Sequence, residues 1–207
     1  MSELIDLHYI DAHLLVAEKP AGLLSVPGRG EANQDCVIAR LQQVHAEALT
    51  VHRLDQVTSG LLLHALGKPM QAALSALFAA RQVGKRYHAV LQGEVRDDVG
   101  EVDLPLVVDW PNRPRQKVDH AQGKPALTRW QVLARDPDTG RTRVALEPVT
   151  GRSHQLRLHM ASLGHPIVGD VLYGAEPASR VHLHASELRF AHPVTGQSLA
   201  FHSAPPF

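Results

Sequence analysis

The apolar residues of this chain fall in strand-length runs, each broken soon after by Gly or Pro, and this spacing most constrains the fold. "GLLLHAL" (60–66) is almost wholly apolar, the pattern of a strand buried on both faces. "LLVAEKPAGLLSVPGRG" (14–30) runs as a strand into a Pro/Gly loop. "KRYHAVLQGEV" (85–95) alternates as a strand. "PALTRWQVLAR" and "RTRVALEPV" flank "DPDTG", which reads as a hairpin turn. "VHLHASELRFAHP" and "SLAFHS" add two strands near the end. The clearest helix is "KPMQAALSALFAARQVG" (68–84): Pro69 suits its first turn, Met70, Leu74, Leu77 and Phe78 form one apolar face, and Gly84 is its expected stop. A second helix is expected in "NQDCVIARLQQVHA" (33–46), with Val37, Ile38, Leu41 and Val44 on one face and Asn33 or Asp35 as cap. A third covers "SHQLRLHMASLG" (153–164), capped by Ser153. Strands joined by short turns favour antiparallel pairing, so the expected class is α+β with a mixed, mainly antiparallel sheet.

Composition excludes several functions. At 207 residues and 44% hydrophobic, the chain can build one sizeable core or two closely packed subdomains, and residues 1–207 read as a single domain. No apolar run reaches the length of a membrane helix. The segment MSELIDLHYI carries Glu3 and Asp6 and lacks a basic start, so no signal peptide is read and a cytoplasmic protein is expected; independently of this, a monomer is expected. The lone Cys36 excludes an intrachain disulfide and a Cys-rich zinc site. The histidines show neither HExxH nor a His pair beside a Cys pair, so no metal is expected. Neither GxGxxG nor GxxxxGK[ST] occurs. Net charge is zero, which argues against a nucleic-acid partner, but it is unevenly spread. Residues 1–50 are net negative and residues 109–157 net positive, which points to one basic face.

Three segments concentrate chemistry. "VHRLDQVTSG" (51–60) places His52, Arg53 and Asp55 in a loop just before the buried strand, a junction that holds a side chain firmly at an accessible place. An isolated loop aspartate is most often a turn residue bonded to its own backbone. Here Arg53 adds a donor fork, and Thr58, Ser59 and Gly60 add hydroxyls and a permissive backbone. "TGRSHQLRLHM" (150–160) puts His154, Arg157 and Ala161 on one helical face and Leu156, Met160 and Leu163 on another. A buried Arg157 would need an acid, for which Asp55 is the attractive candidate; a snorkelling surface arginine is the alternative. In "GKRYHAVLQGE", Tyr87 is either a core ring or a platform for a stacked base.

Taken together, "EKPAGLLSVPG", "HRLDQVTSG", "KRYHAVLQGE" and "TGRSHQLRLHMASLGHPIVGDVLYG" resemble the RluA family of pseudouridine synthases, in the same order and from about residue 12 to the end. "VDLPLVVDWPNRPRQKV" and "GKPA" resemble its dual-specificity members, which modify 23S ribosomal RNA and the tRNA anticodon stem-loop. The resemblance implies the pseudouridine synthase fold, with a catalytic cleft across the central sheet and no N-terminal RNA-binding extension. It implies isomerisation of uridine to its C5-glycoside without cofactor or metal. It assigns Asp55 as the catalytic carboxylate, acting either as nucleophile at the sugar or as base in a glycal route. Arg157 becomes the charge that keeps Asp55 ionised, Tyr87 the ring that stacks on the flipped base, and Arg53 the residue that fills the vacated space. Leu183 becomes an apolar contact near the base. RNA contacts are expected from His52, Arg113, Arg115, Lys117 and Arg152. The loop "AEPASRVHLHA" is shorter than in some relatives, which bears on substrate range. A single RNA substrate, a non-catalytic RNA-binding module and a histidine-based metal hydrolase are the alternatives.

Overall fold

The computed structural model describes residues 4–207; residues 1–3, and with them the Glu3 that entered the signal-peptide reading, lie outside it. In chain order the strands are β1 (Leu7–Ile10), β2 (Leu14–Lys19), β3 (Ala48–Thr50), β4 (Ser59–Leu66), β5 (Gly84–Gln92), β6 (Val99–Asp103), β7 (Leu106–Val108), β8 (Gln116–Val118), β9 (Leu127–Asp136), β10 (Arg141–Pro148), β11 (Leu183–Ala191) and β12 (Ser198–His202). The helices are α1 (Val37–Gln42), α2 (Lys68–Ala79) and α3 (Gln155–Ser162), with short 3-10 turns at Glu31–Asn33, Trp110–Asn112 and Val171–Tyr173. The chain falls into two compact units: residues 1–85 with 184–206, and residues 86–183 with Phe207.

The first unit is organised by β4, buried along nearly its whole length as its apolar run requires. β2 pairs with one edge, antiparallel from Leu14↔Ala65 to Lys19↔Gly60. The other edge takes β11, parallel at His184↔Ser59 and Ala185↔Gly60, and β3, antiparallel at Thr50↔His64. β1 and β12 extend the sheet antiparallel on β2 and β11. The first unit by itself therefore already shows mixed, mainly antiparallel pairing. Leu14, Val16, Leu61, Leu63, Met70 and Leu74 form the centre of its core, joining β2 and β4 to the apolar face of α2. Gly60 is dictated by close approach: at φ 110°, an added Cβ would lie 2.3 Å from the Ala185 carbonyl oxygen.

The second unit is an antiparallel sheet in the order β5–β10–β9–β6, with β7 and β8 as a separate hairpin. The turn predicted at "DPDTG" joins β9 to β10. Directly paired residues share a face, so Tyr87, Ala89 and Leu91 lie on the side of Leu146, Val144 and Thr142. α3 lies on that side too: Gln155 Nε2 donates to Thr128 Oγ1 (3.0 Å) and His159 Nδ1 lies 2.9 Å from it, and Thr128 pairs with Pro148 of the same face.

Several local expectations are corrected. α2 ends at Ala79, and Arg81 takes the left-handed conformation (φ 58°) that Gly84 was expected to supply; Gly84 opens β5. α1 has Cys36 at its N-cap and no side-chain cap, because Asp35 is held by Arg40 through two 2.7 Å bonds. α1 stops at Gln42, which leaves Val44 exposed. Ser153 does not cap α3. His154 holds the N-cap position in a left-handed conformation (φ 53°), and the Gln155 side chain accepts the Arg152 N–H at 3.0 Å. Leu163, assigned to the inner face of α3, is 40% exposed.

Candidate active site

The loop carrying Asp55 is fastened by the loop that follows β2. Lys19, fully buried, points its ammonium at three carbonyls: Pro20 (2.8 Å), Leu23 (2.6 Å) and Gln56 (3.0 Å). Gly22 N–H donates to the Gln56 carbonyl (2.8 Å), and Gln56 Nε2 donates back to the Gly22 carbonyl (2.9 Å). Ser25 Oγ donates to the Leu54 carbonyl (2.8 Å) and accepts the Leu54 N–H (3.1 Å). The backbone on both sides of Asp55 is therefore bonded to one neighbouring loop. The Asp55 main-chain carbonyl closes the turn by accepting the Thr58 N–H at 3.0 Å, and the residue is half-buried. Thr58 and Ser59 are buried, and Ser59 Oγ sits 2.8 Å from His184 Nδ1. The "EKPAGLLS" and "HRLDQVTSG" segments are thus bonded into one structure.

Arg53 is exposed beside this loop. His52 is tied into the unit: its Nε2 accepts the Leu63 N–H (2.9 Å) and its ring stacks on Phe78 with centroids 4.5 Å apart. Burial, reinforced by the nearby His64 and Lys85, lowers its pKa to about 3, so the ring is a neutral acceptor that holds the loop to β4.

In the second unit Arg157 is buried, 5% exposed, and its acid partner there is Asp170, which the sequence reading passed over. Nε donates to Oδ2 and Nη2 to Oδ1, both at 2.7 Å, the bidentate geometry that fixes a guanidinium in its plane. The Arg157 guanidinium also lies 5.2 Å from the Tyr173 ring centroid. Tyr173 in turn accepts the Gln116 N–H with its hydroxyl (2.9 Å), which lies 2.8 Å from His154 Nδ1. Asp170 and Tyr173 are the residues missed, while His154, expected on the Arg157 face of α3, gains its partner Tyr173 only in the fold. The sequence signal was present, since "GDVLYG" closes the same stretch that contains Arg157, but the pairing emerges only when the chain folds back. A left-handed histidine at the start of α3 is the kind of backbone cost that clusters at functional sites. Tyr87, half-buried, shares the sheet face that α3 covers. A cavity of about 260 Å³ lined by Val90, Arg141, Arg143, His182 and Phe207 lies on the opposite side, since Val90 pairs with Arg143.

The remaining predicted contacts differ in exposure. Arg113, Arg115 and Arg152 are exposed; Lys117 is 53% exposed with Asp119 at 3.6 Å; Leu183 is buried at the start of β11. Arg152 Nε donates to the Pro125 carbonyl at 3.1 Å.

In this chain the first unit presents a carboxylate on a clamped loop, and the second a tyrosine on the sheet face covered by the helix that carries a buried guanidinium held by two hydrogen bonds. The comparisons give its class: the RNA pseudouridylate synthase family matches residues 13–162, and the chain belongs to that family. It is similar to the dual-specificity RNA pseudouridine synthase RluA of Pasteurella multocida, 48% identical over 98% of this chain and 93% of that protein. It is similar also to the protein of the same name from Escherichia coli K12, 47% identical over 93% of this chain and 90% of that protein. Among solved structures it matches human RNA pseudouridylate synthase domain containing 1, with TM-score 0.81 and 29% identity, covering 98% of this chain and 84% of that one. The α+β class with a mixed sheet is borne out, and the chain is an isomerase acting on RNA. Among the described residues no helix is long and apolar enough to cross a membrane.

Proposed function

We propose that this enzyme converts uridine to pseudouridine in two RNAs, a hairpin loop of 23S ribosomal RNA and the tRNA anticodon stem-loop, with Asp55 as the catalytic carboxylate. The observation that carries the assignment is the double fastening of the Asp55 loop by Lys19 and Ser25. A carboxylate that must meet one sugar carbon gains from a backbone set in advance. Dual specificity is supported by the names of relatives that match nearly the whole chain.

The reaction breaks the N1–C1′ bond, turns the uracil and joins C5 to C1′. The C5 hydrogen leaves as a proton and N1 gains one, so nothing is oxidised and no co-reactant is consumed. Asp55 attacks the sugar carbon or removes a sugar proton. Arg157, set in its plane by Asp170, is the cation that keeps the carboxylate charged as RNA excludes water. Tyr87 stacks on the uracil once it leaves its own stack, and Arg53 fills the space it vacates. Leu183 lines the base from its apolar side. Arg113, Arg115, Lys117 and Arg152 contact phosphates. His52 acts through the loop it holds. The enzyme works as a cytoplasmic monomer, without metal or cofactor.

Asp55→Asn is expected to fold normally, bind RNA and release no tritium from 5-tritiated uridine RNA. Full release by that variant would remove Asp55 from the chemistry. Mapping pseudouridine in RNA from a deletion strain is expected to show loss at one ribosomal and one tRNA position; loss at only one would reduce the enzyme to a single substrate.

A further inference from the structure

The hairpin of β7 and β8 carries a tryptophan at its tip that the fold does not use. Trp110 is 67% exposed, in a chain where only 4% of residues are aromatic. A single exposed apolar residue is unremarkable in itself. This one differs in three respects. One face of the ring is backed by the Arg113 guanidinium, whose carbon lies 3.1 Å from the ring centroid, a stacked cation–π contact. The tip beneath it is held rigid: Asn112 N–H donates to the Asp109 carbonyl (3.0 Å), Asn112 Nδ2 to Asp109 Oδ2 (2.9 Å), and Arg115 N–H to the Asn112 carbonyl (3.0 Å). Finally, the hairpin is tethered to the Arg157 cluster, because Gln116 N–H donates to the Tyr173 hydroxyl and the Tyr173 ring lies 5.2 Å from the Arg157 guanidinium.

We propose that the open face of Trp110 is a stacking platform for an unpaired base of the substrate RNA, outside the position of the reacting uridine. Every base has a π-face, so a ring backed by a cation takes any base without reading its edges, while the guanidinium behind it meets the phosphates. Arg115 and Lys117, exposed along the same hairpin, supply the charge that brings the backbone to it. A platform of this kind suits an enzyme that accepts loops of different sequence, since it grips single-stranded character and leaves base identity unread. The inference rests on the RNA-directed activity and deepens it.

The test uses tryptophan emission. Trp130→Phe leaves Trp110 as the chain's only tryptophan. Titration with an RNA hairpin of the tRNA anticodon stem-loop should quench Trp110 emission, saturating at the same RNA concentration as the anisotropy of labelled hairpin. The same difference can be read between the wild type and Trp110→Ala without the Trp130 change. Trp110→Ala should weaken hairpin binding roughly ten-fold, Trp110→Tyr should restore most of it, and neither should change the salt dependence. Hairpin that binds while Trp110 emission stays constant would overturn the proposal, as would full affinity in Trp110→Ala. Failure of the wild-type protein to bind the hairpin would overturn the tRNA half of the proposed function, and this inference with it.

Discussion

His64 shows how one residue sets the acid limit of the first unit. It sits in the middle of β4, fully buried, and neither ring nitrogen has a hydrogen-bond partner. Burial lowers its pKa from 6.5 to about 4. Above pH 6.5 the ring is neutral in both folded and unfolded chains and contributes no pH dependence. Below that value the unfolded ring takes a proton that the folded ring refuses until pH falls to about 4, so stability is lost as pH falls through this window. At about 1.4 kcal/mol per pH unit, His64 alone should cost about 2 kcal/mol between pH 6.5 and about 5. His52, lowered to about 3, acts in the same direction. His64→Leu removes two unsatisfied polar atoms and should both hold stability at neutral pH and flatten its fall in acid. Urea midpoints at neutral pH and about pH 5 measure this; a variant whose midpoint drops as steeply as wild type would show that another group sets the limit. The count of histidines tempted a metal reading, and the sequence could not say which rings are buried. That distinction belongs to the packing of β4 between β2 and β3.

Between elements, the informative contact is the one joining the loop after β2 to the loop before β4. Ser25→Ala removes both hydrogen bonds to Leu54 and leaves two backbone groups without that partner, which should cost about 1–3 kcal/mol. The catalytic expectation is sharper: turnover should fall more than RNA affinity, because the loop that loosens sets Asp55 and not the RNA grip. Equal affinity and full turnover in a measurably destabilised variant would reduce the clamp to a structural brace. Elements of this size were legible where periodicity was strong, as in β4, α2 and the β9–β10 hairpin. They were not legible at their ends. The sequence placed caps at Ser153 and Asp35, residues that favour caps in general. In the fold Arg40 takes the Asp35 carboxylate, and His154 occupies the N-cap position of α3 in place of Ser153. β7 and β8 are three residues each, too short for alternation to show. The Arg157–Asp170 pair was equally hidden, since bidentate geometry depends on where the chain turns after α3.

For the whole molecule, formal net charge is zero, so attraction to RNA cannot come from an overall field. It must come from particular cations, and in the basic stretch 109–157 these look alike in sequence. The structure sorts them. Arg157 is committed to Asp170. Arg135 is committed to the carbonyls of Val95 (2.8 Å) and Arg96 (2.9 Å) and to Asp98 (2.8 Å). Arg115 and Lys117 stand exposed on the β7–β8 hairpin. Each phosphate neutralised releases condensed counterions, so the logarithm of the binding constant should fall linearly with the logarithm of salt concentration despite the neutral chain. Arg115→Ala and Lys117→Ala should each reduce that slope by about 0.7–0.9, whereas Arg135→Ala, which removes the same formal charge, should leave the slope unchanged and lower stability instead. Fluorescence anisotropy of labelled hairpin across a salt series measures all three. A slope that changes equally in all three variants would mean that bulk charge steers the RNA, and the hairpin would lose its place as the phosphate grip.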